Sequence, residues 1–428
     1  VKSGVSTIAW RLLRCLIAPS MLGAAASAHA ENIDLFSADT VSVSGDFRLV
    51  GANGEESWTT EGFGKLRSGS DGDWQVRPEP GNFKLVWQPS FGWALSATVV
   101  GAVQGGERTE AGLSQAYVSF KPLLGDHVRL SARAGLFWPP ISLEHEGADW
   151  HVEDTITPSA INSWIGEEVR PAAIEGSAII EAGGHELTAV AALFAANDTA
   201  GTLLTFRGWA LHDRETLDFN RQPLPPLPEA VEYYQPQFTH PLLDISEGFA
   251  NRPGYYVMVG WQPPIPVRIE LFHYDNRADP EAVNEDLEWG WRTKFDHFGA
   301  IANLGAGTEL KVQAMKGRAL MGFDAGDGIW VDSRFRSAFA LVTRPFGKTH
   351  LAARIEAFDT RQRGSLVSIE SEEEGWATTI AARRDFGRYL AGVIELLHVS
   401  SRRDQREQLG LDARQRQTQL QAALRVRW

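Results

Sequence analysis

The chain has 428 residues, 43% hydrophobic and 22% charged, too apolar for a disordered chain and too polar for a bundle of membrane helices. Its formal charge of −13 argues against nucleic acid as a partner, because phosphate binding needs a basic face. With 41 Gly and 15 Trp against 4 Met and one Cys, the balance leans toward β-structure rich in turns and aromatics.

Residues 1–30 carry Lys2, Arg11 and Arg14 ahead of an apolar run from Leu16 to Gly23, then Ala24–Ala30 ending in Ala28-His29-Ala30. This is the pattern of a secretory signal peptide with an A-x-A cleavage site. The only cysteine, Cys15, lies inside it, so a mature chain 31–428 has no disulfide and no cysteine–metal site.

From residue 40 onward the dominant signal is alternation with period two, where a helix would space its apolar residues by three and four. Val128, Leu130, Ala132, Ala134 and Leu136 alternate with Arg129, Ser131, Arg133 and Gly135. Trp289, Trp291, Thr293 and Phe295 alternate with Glu288, Arg292, Lys294 and Asp296. Leu420, Ala422, Leu424, Val426 and Trp428 alternate with Gln421, Arg425 and Arg427. Sixteen segments of this kind are predicted: 41–50, 81–90, 92–104, 111–122, 127–138, 169–183, 185–197, 253–262, 266–276, 287–298, 307–319, 330–344, 349–362, 372–386, 389–403 and 412–428. Most are long enough for a tilted membrane-spanning strand of about 9–11 residues.

Connections alternate between long and short. The gaps 51–80, 139–168 and 198–252 are long; Phe91, Gly184 and 263–265 are tight. The alternation weakens at 299–306. In an up-and-down barrel every long gap then falls on one end, with both chain termini on the other. The expected fold class is therefore all-β: a sixteen-stranded antiparallel transmembrane barrel with long extracellular loops and short periplasmic turns, located in the cell outer membrane.

A sheet can span lipid only if it closes. The charged face of each strand is then expected to line a wet lumen, because an Arg or Lys facing the lipid midplane costs roughly 2–4 kcal/mol. This rule assigns Arg129, Arg133, Arg292, Lys294, Arg334, Arg336, Arg354 and Arg425 to the pore wall. The segment 139–168 is acidic but holds Trp150, Trp164 and Ile165, which an exposed loop would not need. It is expected to fold inward as a constriction loop bearing Glu144, Asp149, Glu153 and Asp154. In the second long loop, 198–252, Leu211–Arg221 is a candidate helix and Pro223–Pro228 an extended run. Phe91, Trp93, Phe386, Tyr389 and Trp428 at turn ends, with Trp138 and Trp376 at loop ends, are expected to form interfacial girdles.

No G-x-S-x-G, H-E-x-x-H or P-loop occurs. Glu144, His145, Glu146 and His151 match no strict metal-ligand spacing, so no metal and no cofactor is expected. A hydrolase would need a serine close to His145 or His151.

Sixteen strands, an inward loop entered through Leu136-Phe137-Trp138-Pro139-Pro140 after the fifth strand, and a final strand ending in Trp428 resemble the general and phosphate-selective porins of bacterial outer membranes. A lysine cluster like that of the phosphate-selective members is absent. The resemblance implies a non-enzymatic homotrimer in outer-membrane lipid, with residues 51–80 at a neighbour and a terminal strand read by the barrel-assembly machinery. The function it implies is passive diffusion of small hydrophilic solutes, with anions favoured by the cationic wall. The alternative is a barrel plugged by its loops, with a structural or adhesive role.

Overall fold

The computed structural model describes residues 35–428 apart from 38, 71, 107, 123–124, 126, 196–197, 219, 242–251, 325 and 367. The expected signal peptide, 1–30, lies outside the described residues, as does part of 198–252.

Sixteen strands form one closed antiparallel barrel in sequence order. They are β1 (Val41–Gly54), β2 (Gly72–Trp87), β3 (Leu95–Gln104), β4 (Glu110–Phe120), β5 (Val128–Leu136), β6 (Ala172–Ala182), β7 (His185–Ala195) and β8 (Gly254–Gln262). β9 (Val267–Asp275), β10 (Arg292–Gly305), β11 (Thr308–Asp324), β12 (Ile329–Phe346), β13 (Thr349–Gln362), β14 (Glu373–Asp385), β15 (Leu390–Arg403) and β16 (Arg414–Arg427) follow. β1 pairs with β16 to close the cylinder. Just beyond that ladder, Trp428 and Val43 exchange backbone hydrogen bonds of 2.7 and 2.8 Å. Closure leaves no edge strand, which a sheet in lipid requires.

Connections are sorted by end. One end has two-residue turns such as Gly183-Gly184, where φ is +59° and +79°, the left-handed geometry that suits the twist of a hairpin. The other end carries 55–71, 137–171, 196–253 and 276–291. The irregularity expected at 299–306 is a strand: β10 runs on to Gly305 before a turn at 306–307. β2 begins nine residues earlier than its alternation suggests. Pro78 and Pro80 obscure its upper half, which pairs with β1 alone and so tolerates missing donors.

The face rule holds for β1–β8: every charged strand residue among the described ones points inward, and the outward positions carry none. It fails beyond β8, most clearly on β10 and β12, and outward charges recur on β11 (Lys316, Arg318), β13 (Asp359, Arg361), β14 (Arg384), β15 (Arg402) and β16 (Arg416). Arg292, Lys294, Arg334 and Arg336 point outward, while Thr293, Phe295, Phe335 and Phe339 are buried inside. The side chains of Arg334 and Arg336 are 62% and 70% exposed. Trp289 and Trp291, assigned to lipid by the same rule, are also buried within the barrel. The physical reason is twofold. The lumen beside these strands is filled with apolar loop residues, so the inward face is a protein core. The outer ends of β10–β12 also rise to the head-group layer, where charge is solvated. Arg336, seven residues inside the outer end of β12, and Arg344, two from its other end, both face outward, about 27 Å apart along the strand at ~3.4 Å per residue. With a tilt of ~40° that spans about 21 Å, and snorkelling side chains complete an apolar band of ~25 Å.

The girdle forms at the turn end, where Trp93, Phe386, Tyr389 and Trp428 are exposed, and Trp376 is exposed toward the other end. Trp138 is not part of it: 1% exposed, it stacks on Trp150 inside the barrel.

Ile355 faces outward midway along the apolar row Leu351, Ala353, Ile355 and Ala357. Ile355→Arg is expected to destabilise the folded barrel by roughly 2–4 kcal/mol, as for other midplane cations, whereas Arg336→Lys should change stability by less than about 1 kcal/mol. Urea unfolding of vesicle-inserted protein checks both.

Candidate functional site

The lumen is crossed by the segment between β5 and β6, residues 137–171. Pro139 and Pro140 stop β5, and Gly166 ends a short π-helical turn, Asn162–Gly166. Phe137, Ile141, Ile161, Trp164 and Ile165 are fully buried and pack on inward aromatics; Trp164 meets Phe335 edge to face with ring centroids 4.5 Å apart.

Extended backbone inside a barrel needs partners for its N–H and C=O groups. Wall side chains supply them. Glu395 of β15 accepts from the amides of Ile156 (2.6 Å) and Thr157 (3.0 Å). Glu356 of β13 accepts from Ala160 N (2.5 Å). Arg354 donates to the carbonyls of Thr157 and Pro158, both 2.9 Å, and to Glu144 (2.9 Å). Arg425 of β16 donates to the carbonyls of Val152, Glu153 and Thr155 at 2.6–3.0 Å. Glu144, in turn, accepts from Ser159 N and Asn162 Nδ2. The strap is thus held to β13, β15 and β16, across the barrel from the strands it leaves.

A second insert lies beside it. After β7 the chain forms a buried helix, α1 (Ala200–Phe206), and then an extended run to about residue 217. The helix expected at Leu211–Arg221 is absent. His212, Asp213, Arg214 and Glu215 are buried in the run and make wall contacts. Arg48 and Arg67 clasp Asp213 at 2.5 and 2.8 Å, Lys84 pairs with Glu215, and Arg214 pairs with Glu110 at 2.9 Å. Residues 57–70 also turn into this plug: Leu66 bridges to Leu211 and Lys65 pairs with Glu373.

Below strap and insert, a cavity of about 290 Å³ opens toward the short-turn, periplasmic end. Arg48, Lys84, Arg383, Arg388, Arg425 and Arg427 line it, with Asp46, Asp149, Glu153, Glu167, Asp213, Glu215 and Asp385. His151 sits in its roof between Asp149 (2.8 Å) and Glu153 (2.9 Å). Burial opposes protonation of His151, but hydrogen bonds to both carboxylates outweigh it and raise its pKa above the usual value. The hydrogen bond from His151 holds Glu153 below the usual carboxylate range. Asp149 is lowered too: burial opposes ionisation, and the bond to His151 wins. Burial pushes Glu167 well up, reinforced by Glu215 nearby, and also raises Glu215 despite Lys84.

The residues singled out from sequence therefore part company. Arg354 and Arg425 hold the strap. Arg133 faces inward and pairs with Glu175 (2.7 Å), while Arg129 pairs with Glu181 and Glu186 near the periplasmic end. Asp149 and Glu153 line the vestibule; Asp154 lies 3.6 Å from Arg383 and from His350; Glu144 is buried under Arg354. Arg292, Lys294, Arg334 and Arg336 belong to the exterior, because the inward positions beside them are taken by the aromatic core. Glu395 was not singled out, although an acid between Val393-Ile394 and Leu396-Leu397 is the signal of a wall residue with a buried partner. Asp213 and Glu215, in a loop with no periodicity, gave no such signal.

Ser142, His145 and Glu167 form a chain in which Ser142 Oγ is 2.8 Å from His145 Nδ1 and His145 Nε2 is 2.8 Å from Glu167. The order of groups matches a hydrolase relay, but the chemistry differs. Ser142 Oγ accepts from the amides of Glu144 and His145, which makes it a turn clamp. Burial raises the pKa of the Glu167 carboxyl and lowers that of the His145 imidazole, so burial disfavours the charged form of each. His145 and His151 are both committed to such bonds. The grouping of His240, Asp286 and Glu288, the one set of three potential metal ligands among the described residues, lies in other loops.

Arg354→Ala removes the donor to Glu144, Glu356 and two strap carbonyls together. It is expected to cost about 3–5 kcal/mol, as when one partner of a buried ion pair is lost, against less than about 1 kcal/mol for the exposed Arg129→Ala; urea unfolding measures both. His151 carries a raised folded-state pKa, so its bridge contributes fully below the unfolded value near 6.5 and is lost as pH rises through the shifted value. Hydrogen-exchange protection of strap amides 150–156, corrected for intrinsic rates, should fall across that rise in the native chain and stay flat in His151→Gln.

No family model matches the chain, and no curated protein matches it. Among solved structures it is similar to an anion-selective porin from Comamonas acidovorans (13% identity, TM-score 0.50, covering 91% of this chain and 99% of that one). It is also similar to the outer-membrane channel DcaP of Acinetobacter baumannii (7%, TM-score 0.54, 91% and 96%) and to OprB of Pseudomonas putida (10%, TM-score 0.52, 91% and 94%). With its closed sixteen-strand cylinder and apolar exterior band, the chain is an outer-membrane β-barrel with the porin fold.

Proposed function

We propose that this barrel is a narrow diffusion channel for small hydrophilic solutes, with a mild preference for anions and no catalytic role. The observation that carries the reading is the charged vestibule at the periplasmic mouth, roofed by a strap tied to the wall through Arg354, Arg425, Glu356 and Glu395. Its six Arg and Lys face seven acids. Arg388 and Arg425 make no ion pair among the described residues, Arg425 being bound to strap carbonyls, and burial raises the pKa of Glu167 and Glu215, which tilts the balance toward the cations. Opposed charges in a narrow space create a transverse field that admits polar solutes and slows apolar ones. The outward surface of β1–β8, free of strand charges among the described residues, is the wall we assign to neighbours in a homotrimer, leaving the charged half to lipid.

A second reading, a barrel sealed by its loops, is favoured by the aromatic packing of Trp164, Trp209, Phe335 and Phe358 across one side of the lumen. Planar-bilayer recording separates the two. The channel reading expects small open steps and a reversal potential shifted toward the anion in a salt gradient. Arg354→Ala combined with Glu395→Gln should raise step size at least about twofold by releasing the strap. Silence from folded native protein, with steps appearing only in that variant, supports the sealed barrel; a cation-directed potential removes the anion preference.

A further inference from the structure

The outward charges of β10–β13 are not scattered. Cross-strand partners share a face and lie about 4.5–5.5 Å apart. Lys294 is paired in register with Arg318, Arg318 with Arg334, and Arg334 with Arg361, so four cations stand abreast on four adjacent strands. One step nearer the periplasm Lys316 is flanked by Asp296 and Arg336. Like charges directly opposite destabilise a sheet. Asp332 partly offsets Arg318 (2.5 Å) and Arg334 (3.7 Å), and Glu374 lies 3.7 Å from Arg361. Among the described residues, Lys294 and Lys316 make no ion pair.

Below this row the outward residues become small and apolar. Ala314, Ala338 and Ala357 are register partners on β11, β12 and β13, flanked by Phe298. They floor an external trough of about 720 Å³ whose upper lip carries Lys316, Arg336 and Arg361 together with Asp296, Asp359 and Glu374, Arg336 being paired with Asp359. An excess of cations over acids above a smooth apolar trough, with Lys294 and Lys316 unpaired among the described residues, matches one kind of molecule: an amphiphile with an anionic head and acyl chains.

We propose that the outer ends of β10–β13 bind the phosphate-bearing head group of an outer-leaflet lipid, with an acyl chain lying along Ala314, Ala338 and Ala357. The phosphate supplies negative charge to Lys294 and Lys316, which have no ion-pair partner among the described residues, and to Arg318 and Arg334, which share the single Asp332. Charge-assisted bonds from ammonium and guanidinium groups hold it. The small side chains set the trough's depth, and Phe298 forms one bank.

Native mass spectrometry of the folded full chain in neutral detergent tests this, with dipalmitoyl phosphatidic acid, dipalmitoyl phosphatidylcholine and inorganic phosphate as separate probes. Retention of phosphatidic acid at least tenfold above phosphatidylcholine is expected. Lys294→Gln with Lys316→Gln should weaken it about fivefold for each cation removed. Ala338→Phe, which fills the trough and leaves the charges in place, should weaken it as well. Three results overturn the proposal: equal retention of the two lipids; displacement of the lipid by an equimolar amount of inorganic phosphate, which would mark a bare anion site; or a multimer that the Lys294→Gln/Lys316→Gln variant dissociates, which would mark the row as a subunit contact.

Discussion

A polypeptide segment laid across the inside of a barrel carries amides and carbonyls that cannot all reach water, and unpaired buried ones are costly. Here the wall's charged residues discharge that debt. Arg354 and Arg425 each bind several carbonyls of the strap, and Glu356 and Glu395 bind its amides. Placing an arginine against carbonyls instead of only carboxylates lets one side chain immobilise several residues through its rigid fork of donors. Strap position, vestibule shape and the burial of Trp164 all follow from this clasp.

The filled lumen also changes what each barrel face must be. In a water-filled tube the inward face is polar and the outward face apolar. On β1–β6 that holds for the charged residues, whereas β7 and β8 already turn Val190, Phe194, Tyr256 and Met258 inward. On β10–β13 loop side chains occupy the interior, so Phe295, Phe335, Phe339 and Phe358 point in and stack as the core of a soluble domain does. The barrel therefore has two kinds of wall, one facing polar inserts and one facing an apolar core. The taller strands lie on the second kind.

This division explains what could be read from sequence. Strand number, order and the sorting of connections were legible because alternation depends only on each strand having two unlike faces. Which face points inward was legible where Arg129, Arg133 and Arg354 alternate with small or aliphatic residues at membrane depth. It was misread at Arg292, Lys294, Arg334 and Arg336, since a charge that escapes lipid upward into head groups and one that escapes inward into water have the same period. Trp138 was misplaced for a related reason: an aromatic at a loop end looks alike whether it meets a membrane interface or another indole. Asp213 and Glu215 lay in a stretch without periodicity, and only tertiary contact with Arg48, Arg67 and Lys84 reveals them.

A packed apolar side also bears on how the polar side works. Field lines between opposed charges concentrate where the surroundings are of low dielectric. The aromatic core along β8–β13 removes water from one flank of the lumen, so the pairs at Arg48–Asp213, Lys84–Glu215 and Arg383–Glu153 act on a narrow aqueous remainder instead of being screened by a wide one. Most of these cations are neutralised within 4 Å, which favours a steep local field over a large net charge. On the proposed channel reading, a solute entering from the vestibule meets alternating signs at close range, and its dipole and size count for more than its net charge. On that same reading, constriction and mild selectivity have one origin: apolar loop residues displace water from part of the tube, and the ion pairs that hold those loops become the surface of what is left.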